Sequence, residues 1–228
     1  MKKFAIALVI VALALPAFAV AADVRIAQVY PGGGSATATA SYKKDYVVLF
    51  NATGFDLNIG GYVLEYGSAT GSWGSSATNY FVFPQDTWIA GCSYLMVSCG
   101  TAGTGGADFT MTPDFVTTNM SLGGTNGKMA LFSALNANLA CGSEIAGTLI
   151  DKVSWGTANC AEGTATGATA IDKGIDRNGG GTIDTDNNAA DFTVVTGPVP
   201  MFSGTPAVAC APVATETETF GTIKAIFR

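Results

Sequence analysis

The chain has 228 residues, of which 48% are apolar and 12% charged, with a net charge of −6 and no histidine. That apolar content excludes disorder for most of the length. The missing imidazole removes every Ser-His-Asp, Cys-His and histidine–zinc mechanism, and the acidic balance opposes a protein that tracks nucleic-acid phosphates.

The first element predicted is an export signal at residues 1–21. Lys2 and Lys3 give a basic start, Phe4 to Leu15 is an unbroken apolar run of 12 residues, and Pro16 ends it before small-residue cleavage sites around Ala19 and Ala21. That run falls short of the roughly 20 residues that span a bilayer, so no transmembrane span is expected. Cleavage leaves about 206 residues, enough for one domain. It removes Lys2 and Lys3 and takes the net charge from −6 to −8.

From Val24 onward, short β-rich runs alternate with Gly, Ser, Thr and Asn. Val24–Tyr30 alternates and stops at Pro31. Tyr46–Phe50 is nearly all apolar, as a strand covered on both faces would be. Tyr62–Tyr66, Tyr80–Phe83, Tyr94–Val97, Met129–Phe132, Leu149–Trp155 and Phe192–Val195 complete the series. Trp88 and Trp155 lie within strand-like runs and are expected in the core. No long stretch carries a helical period, although 136–145 is where a hidden helix would fit. The spacing of short strands and turns predicts an all-β sandwich or barrel over 23–205. Beyond it, 206–219 has the composition of an extended spacer. Residues 220–228 form an apolar and basic end.

Five cysteines in an exported chain imply disulfides. Cys92 and Cys99 flank a strand-like run, and at about 3.3 Å per residue their sulfurs are out of mutual reach. Cys141 and Cys160 lie in loops around the strand 148–155 and are the favoured pair. That bridge closes a loop of about 20 residues, worth about 3 kcal/mol in the chain-entropy account. Cys210 is expected to be the odd one, free or intermolecular.

The run Asp45-Tyr46-Val47-Val48-Leu49-Phe50-Asn51, followed by Asp56-Leu57 and Gly61-Tyr62, resembles the opening of the lamin tail domain of secreted bacterial proteins. Tyr66 to Trp73 is similar to the loop that follows, Asn126 to Leu131 and Ile150 to Gly156 to later strand entries, and Asp184 to Phe192 to the closing motif. Val48 stands where that family usually has Glu, and Tyr62 where Trp is commoner. The resemblance implies an immunoglobulin-like β-sandwich without catalytic activity, of a kind found alone or beside hydrolases and taken to mediate binding or attachment.

Three groups of residues invite a chemical role. Asp176, Asn178, Asp184 and Asp186, with Gly181 at the sixth position, partly follow a calcium loop, which needs oxygen ligands at alternate positions. Gly180 and Asn187 break that pattern. An Asn/Asp/Gly turn is the plainer reading, and a weak calcium site the second. Two carboxylates facing across a cleft, as glycoside hydrolysis requires, are not implied by spacing within one loop. Tyr66, Trp73 and Tyr80 border a Gly/Ser-rich loop, either as a platform for sugars or peptides or as a cap on the core. Phe220, Ile223, Ile226 and Phe227 would share one face of a helix, with Lys224 and Arg228 beside them, as a docking or sorting peptide. The ending also resembles a short terminal motif of unrelated exported bacterial proteins.

The sequence therefore predicts an exported, non-catalytic binding or attachment module of the periplasm, cell surface or medium. Its expected partners are an envelope component, the secretion machinery, or another extracellular protein or glycan, with no nucleic acid and, calcium aside, no cofactor. The alternative is a glycan- or peptide-binding module whose acidic loop is ordered by calcium.

Overall fold

The computed structural model describes residues 23–210, so the export signal and the docking peptide lie outside the described residues. Twelve strands follow one another: β1 (Val24–Tyr30), β2 (Asp45–Asn51), β3 (Leu57–Asn58), β4 (Val63–Gly67), β5 (Tyr80–Val82), β6 (Trp88–Ile89), β7 (Tyr94–Cys99), β8 (Phe115–Val116), β9 (Gly127–Phe132), β10 (Leu149–Trp155), β11 (Lys173–Arg177) and β12 (Phe192–Thr196). The helix judged possible at 136–145 is absent: Asn136 spends its side chain on a turn, accepting from Ile145 N at 2.7 Å and donating to Ala134 O at 2.8 Å. A single helical turn lies elsewhere, at Asn188–Asp191.

The strands form a six-stranded sheet in the order β12-β11-β1-β2-β7-β8, a four-stranded sheet in the order β10-β9-β4-β5, and the small pair β3-β6. All pairings are antiparallel except that of β7 with the two-residue β8. The two larger sheets enclose one apolar core. Ile26, Val47, Leu49, Val97 and Ile175 from the first meet Leu64, Met129, Leu131, Val153 and Trp155 from the second. Period-two alternation directs these residues inward, as an aligned sandwich requires.

β2 has no wet face. Its other side presents Tyr46, Val48 and Phe50 to a second apolar layer shared with Tyr30, Tyr94 and Met96. Tyr42, Phe109 and the C-terminal residues Met201, Phe202 and Val208 pack against that layer. This accounts for the nearly continuous apolar run, and for a valine at position 48: a charged side chain there would be buried without a partner.

The packed chain extends past the boundary expected at 205, because Val208 joins this layer and Cys210 is bonded to Cys92. The cysteine assignment is corrected accordingly. Cys141 and Cys160 are joined with Cα atoms 5.6 Å apart, Cys210 is paired rather than odd, and Cys99 is the free thiol, buried in the core. Cys210 reaches Cys92 because the C-terminal segment runs back across the six-stranded sheet. Chain spacing carries no sign of that return.

Loops are tied to the sandwich by buried polar groups. Asp45 accepts Gly33 N and Leu122 N, each at 2.8 Å, and burial pushes its carboxyl up to about 7. Gly33 is required at this close approach, since a Cβ there would lie 2.2 Å from Asp45 N.

Candidate functional site

The aromatic residues flagged from sequence do not form a platform. Trp73 is fully buried: its indole N–H donates to Glu144 Oε1 at 2.7 Å, and its ring meets Phe132 edge-on at 5.8 Å. Tyr66 is also buried, with its hydroxyl accepting Gly123 N at 2.9 Å and its ring stacked on Trp155 at 6.5 Å. Tyr80 is half-buried in β5, opposite Glu65. The Gly/Ser-rich loop bends inward because Trp73 N bonds Leu139 O at 2.9 Å, so the two rings that the loop offers cap the core.

The acidic residues do not converge either. Asp176 lies in β11, where burial raises its carboxyl to about 6 and leaves Oδ1 without a partner. Asn178 uses both ends of its amide, donating to Ala190 O at 2.9 Å and accepting from Thr193 Oγ1 at 2.8 Å. Asp184 faces Arg177 and Arg25, at 3.1 and 3.3 Å. Asp186 is an exposed turn residue with φ 55°. The calcium arrangement is thus replaced by a turn, closed when Asp191 accepts Thr185 N, Thr185 Oγ1 and Asn187 N at 2.9, 2.7 and 3.2 Å.

Carboxylates do meet nearby, at Asp151, Glu162 and Asp184, whose oxygens lie within 4.8 Å of one another. The cation among them is the chain's own Arg177. Its Nη2 donates to Asp151 at 2.7 and 2.9 Å, its Nη1 to Asp184 at 3.1 Å, and its Nε to Ile26 O at 2.9 Å. Asp151 Oδ2 also accepts Ile26 N at 2.5 Å, at the point where a bulge shifts the β1–β2 register. Arg177 belongs to the six-stranded sheet and Asp151 to the other, so this pair clamps the two sheets together at one edge. Burial, with Asp151 and Asp184 close by, raises the Glu162 carboxyl to about 8. Sequence reasoning missed the clamp, although a lone Asp between Ile150 and Val153 in a strand was its visible sign.

An open site lies on another face. Trp88, expected in the core, is 58% exposed. β6 is two residues long and pairs only with β3; Ile89 turns inward and no sheet covers Trp88, which sits opposite Asn58. Trp88 borders a cleft of about 520 Å³ between β6, β7 and β8, with Phe115 on the wall and the exposed Gln85 and Asp86 beside it. Asp114 builds the far side by accepting Met96 N at 2.7 Å and Ser203 N at 3.1 Å, as well as the Ser203 hydroxyl. An uncovered indole face beside a carboxamide and a carboxylate suits a ligand with one apolar and one hydroxylated side. Among the described residues, the one hydroxyl–carboxylate contact of the cleft, Ser203 to Asp114, is shared with two backbone N–H groups on the same carboxylate, and the one free thiol is buried with its pKa pushed well up by burial.

A disulfide-braced, immunoglobulin-like sandwich with an open cleft defines the class. Within it, the chain belongs to the lamin tail domain family, whose model matches residues 18–157. The match spans β1 to β10, while β11 and β12 extend the six-stranded sheet beyond it. Among solved structures, the chain is similar to a DUF4876 family protein from Bacteroides thetaiotaomicron, with 13% identity and a TM-score of 0.51, covering 82% of this chain and 74% of that one. That likeness concerns the fold alone. No curated protein matches. Among the described residues, no helix is long and apolar enough to cross a membrane.

Proposed function

We propose that this protein is an exported, non-catalytic binding and attachment module acting at the bacterial cell envelope or surface, with its C-terminal peptide as sorting or docking signal. The family favours a non-catalytic module. Export is supported by the apolar N-terminal segment and by two disulfides, which persist outside the cytoplasm. The observation that carries the reading is the Trp88 cleft, where the fold leaves a large aromatic surface exposed without structural use.

Docking is tested by fractionating the native host, comparing the full chain with one ending at Pro212, which retains Cys210. Movement of a folded, disulfide-bonded protein from envelope to medium upon truncation supports the tail as an address. Identical distributions refute it.

A second reading, glycan recognition, is favoured by the flat Trp88 face flanked by Gln85 and Asp86. It moves the sugar platform from Tyr66 and Trp73 to Trp88 and involves no calcium. Binding to envelope glycans that survives chelator and is lost in Trp88→Ala supports it, and equal binding by both proteins refutes it.

A further inference from the structure

Lys128 is the second residue of β9, opposite Gly67 in β4, and has no exposed surface. Its stem passes through space left by Gly67, where a Cβ would lie 2.6 Å from Lys128 Cε. The amine comes to rest 4.9 Å from the centre of the Trp73 ring, in direct contact with the side-chain carbonyl oxygen of Asn159. That oxygen is its one hydrogen-bond acceptor, although an ammonium has three donors to place. Burial accordingly pulls the Lys128 pKa down, toward the neutral amine, against the opposing charge of Glu144. A buried, underpaired ammonium is a costly group, and deprotonation or acylation relieves it.

Asn159 is held in place from several directions. Its N–H donates to Ala69 O at 2.9 Å, its carbonyl accepts the Ser154 hydroxyl at 2.9 Å, and the next residue is the disulfide-bonded Cys160. Glu144, fixed by the Trp73 indole at 2.7 Å, lies 3.5 Å from Cys160 Sγ. An amine and a carboxamide are therefore held in contact, with the Glu144 carboxylate fixed at the edge of the same Trp73 indole, and that contact makes an otherwise slow amide exchange intramolecular.

We propose that Lys128 and Asn159 join in an intramolecular amide cross-link, with Glu144 carrying the proton. The neutral Nζ attacks Asn159 Cγ, the Nζ–Cγ bond forms, and the Cγ–Nδ2 bond breaks. One Nζ proton passes by way of Glu144 to Nδ2, which departs as ammonia, and nothing is oxidised or reduced. The product ties β9 to the loop after β10 beside the Cys141–Cys160 bridge, and replaces the buried charge with one amide N–H. This inference is independent of the Trp88 cleft and of the docking tail.

The test is mass spectrometry of the exported, purified protein after reduction and alkylation. The expected intact mass is lower by one ammonia than that of the alkylated chain without its export signal. Trypsin is expected to leave Lys128 uncut and to yield a branched species joining 45–152 to 153–173. A full mass overturns the proposal. So does a mass deficit with normal cleavage after Lys128, because a cyclic imide at Asn159 produces that pattern. Asn159→Ala is expected to restore both the mass and the cleavage. Glu144→Gln, with both disulfides and the near-ultraviolet dichroism of the parent, is expected to accumulate the uncross-linked chain; complete cross-linking in that variant overturns the role of Glu144.

Discussion

The clamp between the sheets yields the sharpest stability prediction. Arg177→Met keeps most of the apolar stem of the side chain and removes its guanidinium. It deletes two bonds to Asp151, one to Asp184 and one each to Ile26 O and Ile183 O. Asp151 remains 2% exposed with a single backbone N–H as partner, facing Asp184 and Glu162 without the cation between them. Breaking a buried pair from one side costs about 3–5 kcal/mol, chiefly because the surviving charge is stranded. At a slope of about 2 kcal/mol per molar urea, that is a midpoint shift of roughly 2 M in equilibrium unfolding followed by fluorescence. Asp151, already raised by burial, takes up a proton more readily once Arg177 is gone, so the deficit shrinks at mildly acidic pH. Replacing both residues, Arg177→Met with Asp151→Leu, is expected to cost less than Arg177→Met alone. A loss below about 1 kcal/mol in the single variant, or a double variant no better than the single, would refute the clamp.

Three further outcomes follow from the same geometry. Trp73→Ala is expected to cost about 3–5 kcal/mol, as for a buried tryptophan, whereas Trp88→Ala stays within about 0.5 kcal/mol; thermal melts of both variants distinguish the core ring from the surface one. Asp45, Asp176 and Glu162 are raised by burial to about 7, 6 and 8. The folded chain therefore holds protons that the unfolded chain has already released above about pH 4, and stability falls as pH rises from there through about 8. A melting temperature that is flat or rising over that window contradicts the burial of these carboxyls. Cys99 is expected to resist thiol reagents until the protein unfolds, and rapid labelling of the native protein would place it outside the core.

Much of the sandwich was legible in the sequence because its strands are built from local signals. Alternation in Val24–Tyr30 and the unbroken run Tyr46–Phe50 each mark a strand at its observed place, but only the second reports its cover: β1 is buried throughout, with Arg25 and Gln28 donating to Thr182 O and Val199 O. Trp88 was misread because a two-residue strand is too short to show a period: Trp88 and Ile89 are equally apolar, yet one faces solvent and the other the core. Tyr66 and Trp73 were ambiguous because a Gly/Ser-rich loop does not encode its own direction. The acidic turn looked like a metal loop because its charges were counted along the chain. Asp184 is paired instead with Arg177, seven residues before it, and with Arg25, which lies 159 residues before it and is brought in only by sheet pairing.

The C-terminal segment connects these observations. Asp114 receives two N–H groups and a hydroxyl from β7 and from Ser203, Val208 packs on the outer face of the six-stranded sheet, and Cys210 is bonded to the turn between β6 and β7. The wall of the Trp88 cleft is therefore partly made by the segment that leads to the C-terminal peptide. Severing the link with Cys92→Ser and Cys210→Ser together releases the loop closed by a separation of 118 residues, worth about 4–5 kcal/mol in the chain-entropy account. It also frees the strip that shields Tyr46, Val48 and Phe50. The expected result is a less stable protein with faster amide exchange in β2 and a weakened Trp88 cleft, while the Cys141–Cys160 region exchanges as before. Uniform loss of protection across both sheets would show instead that the segment is part of one cooperative unit, and that the cleft and the sandwich core cannot be uncoupled.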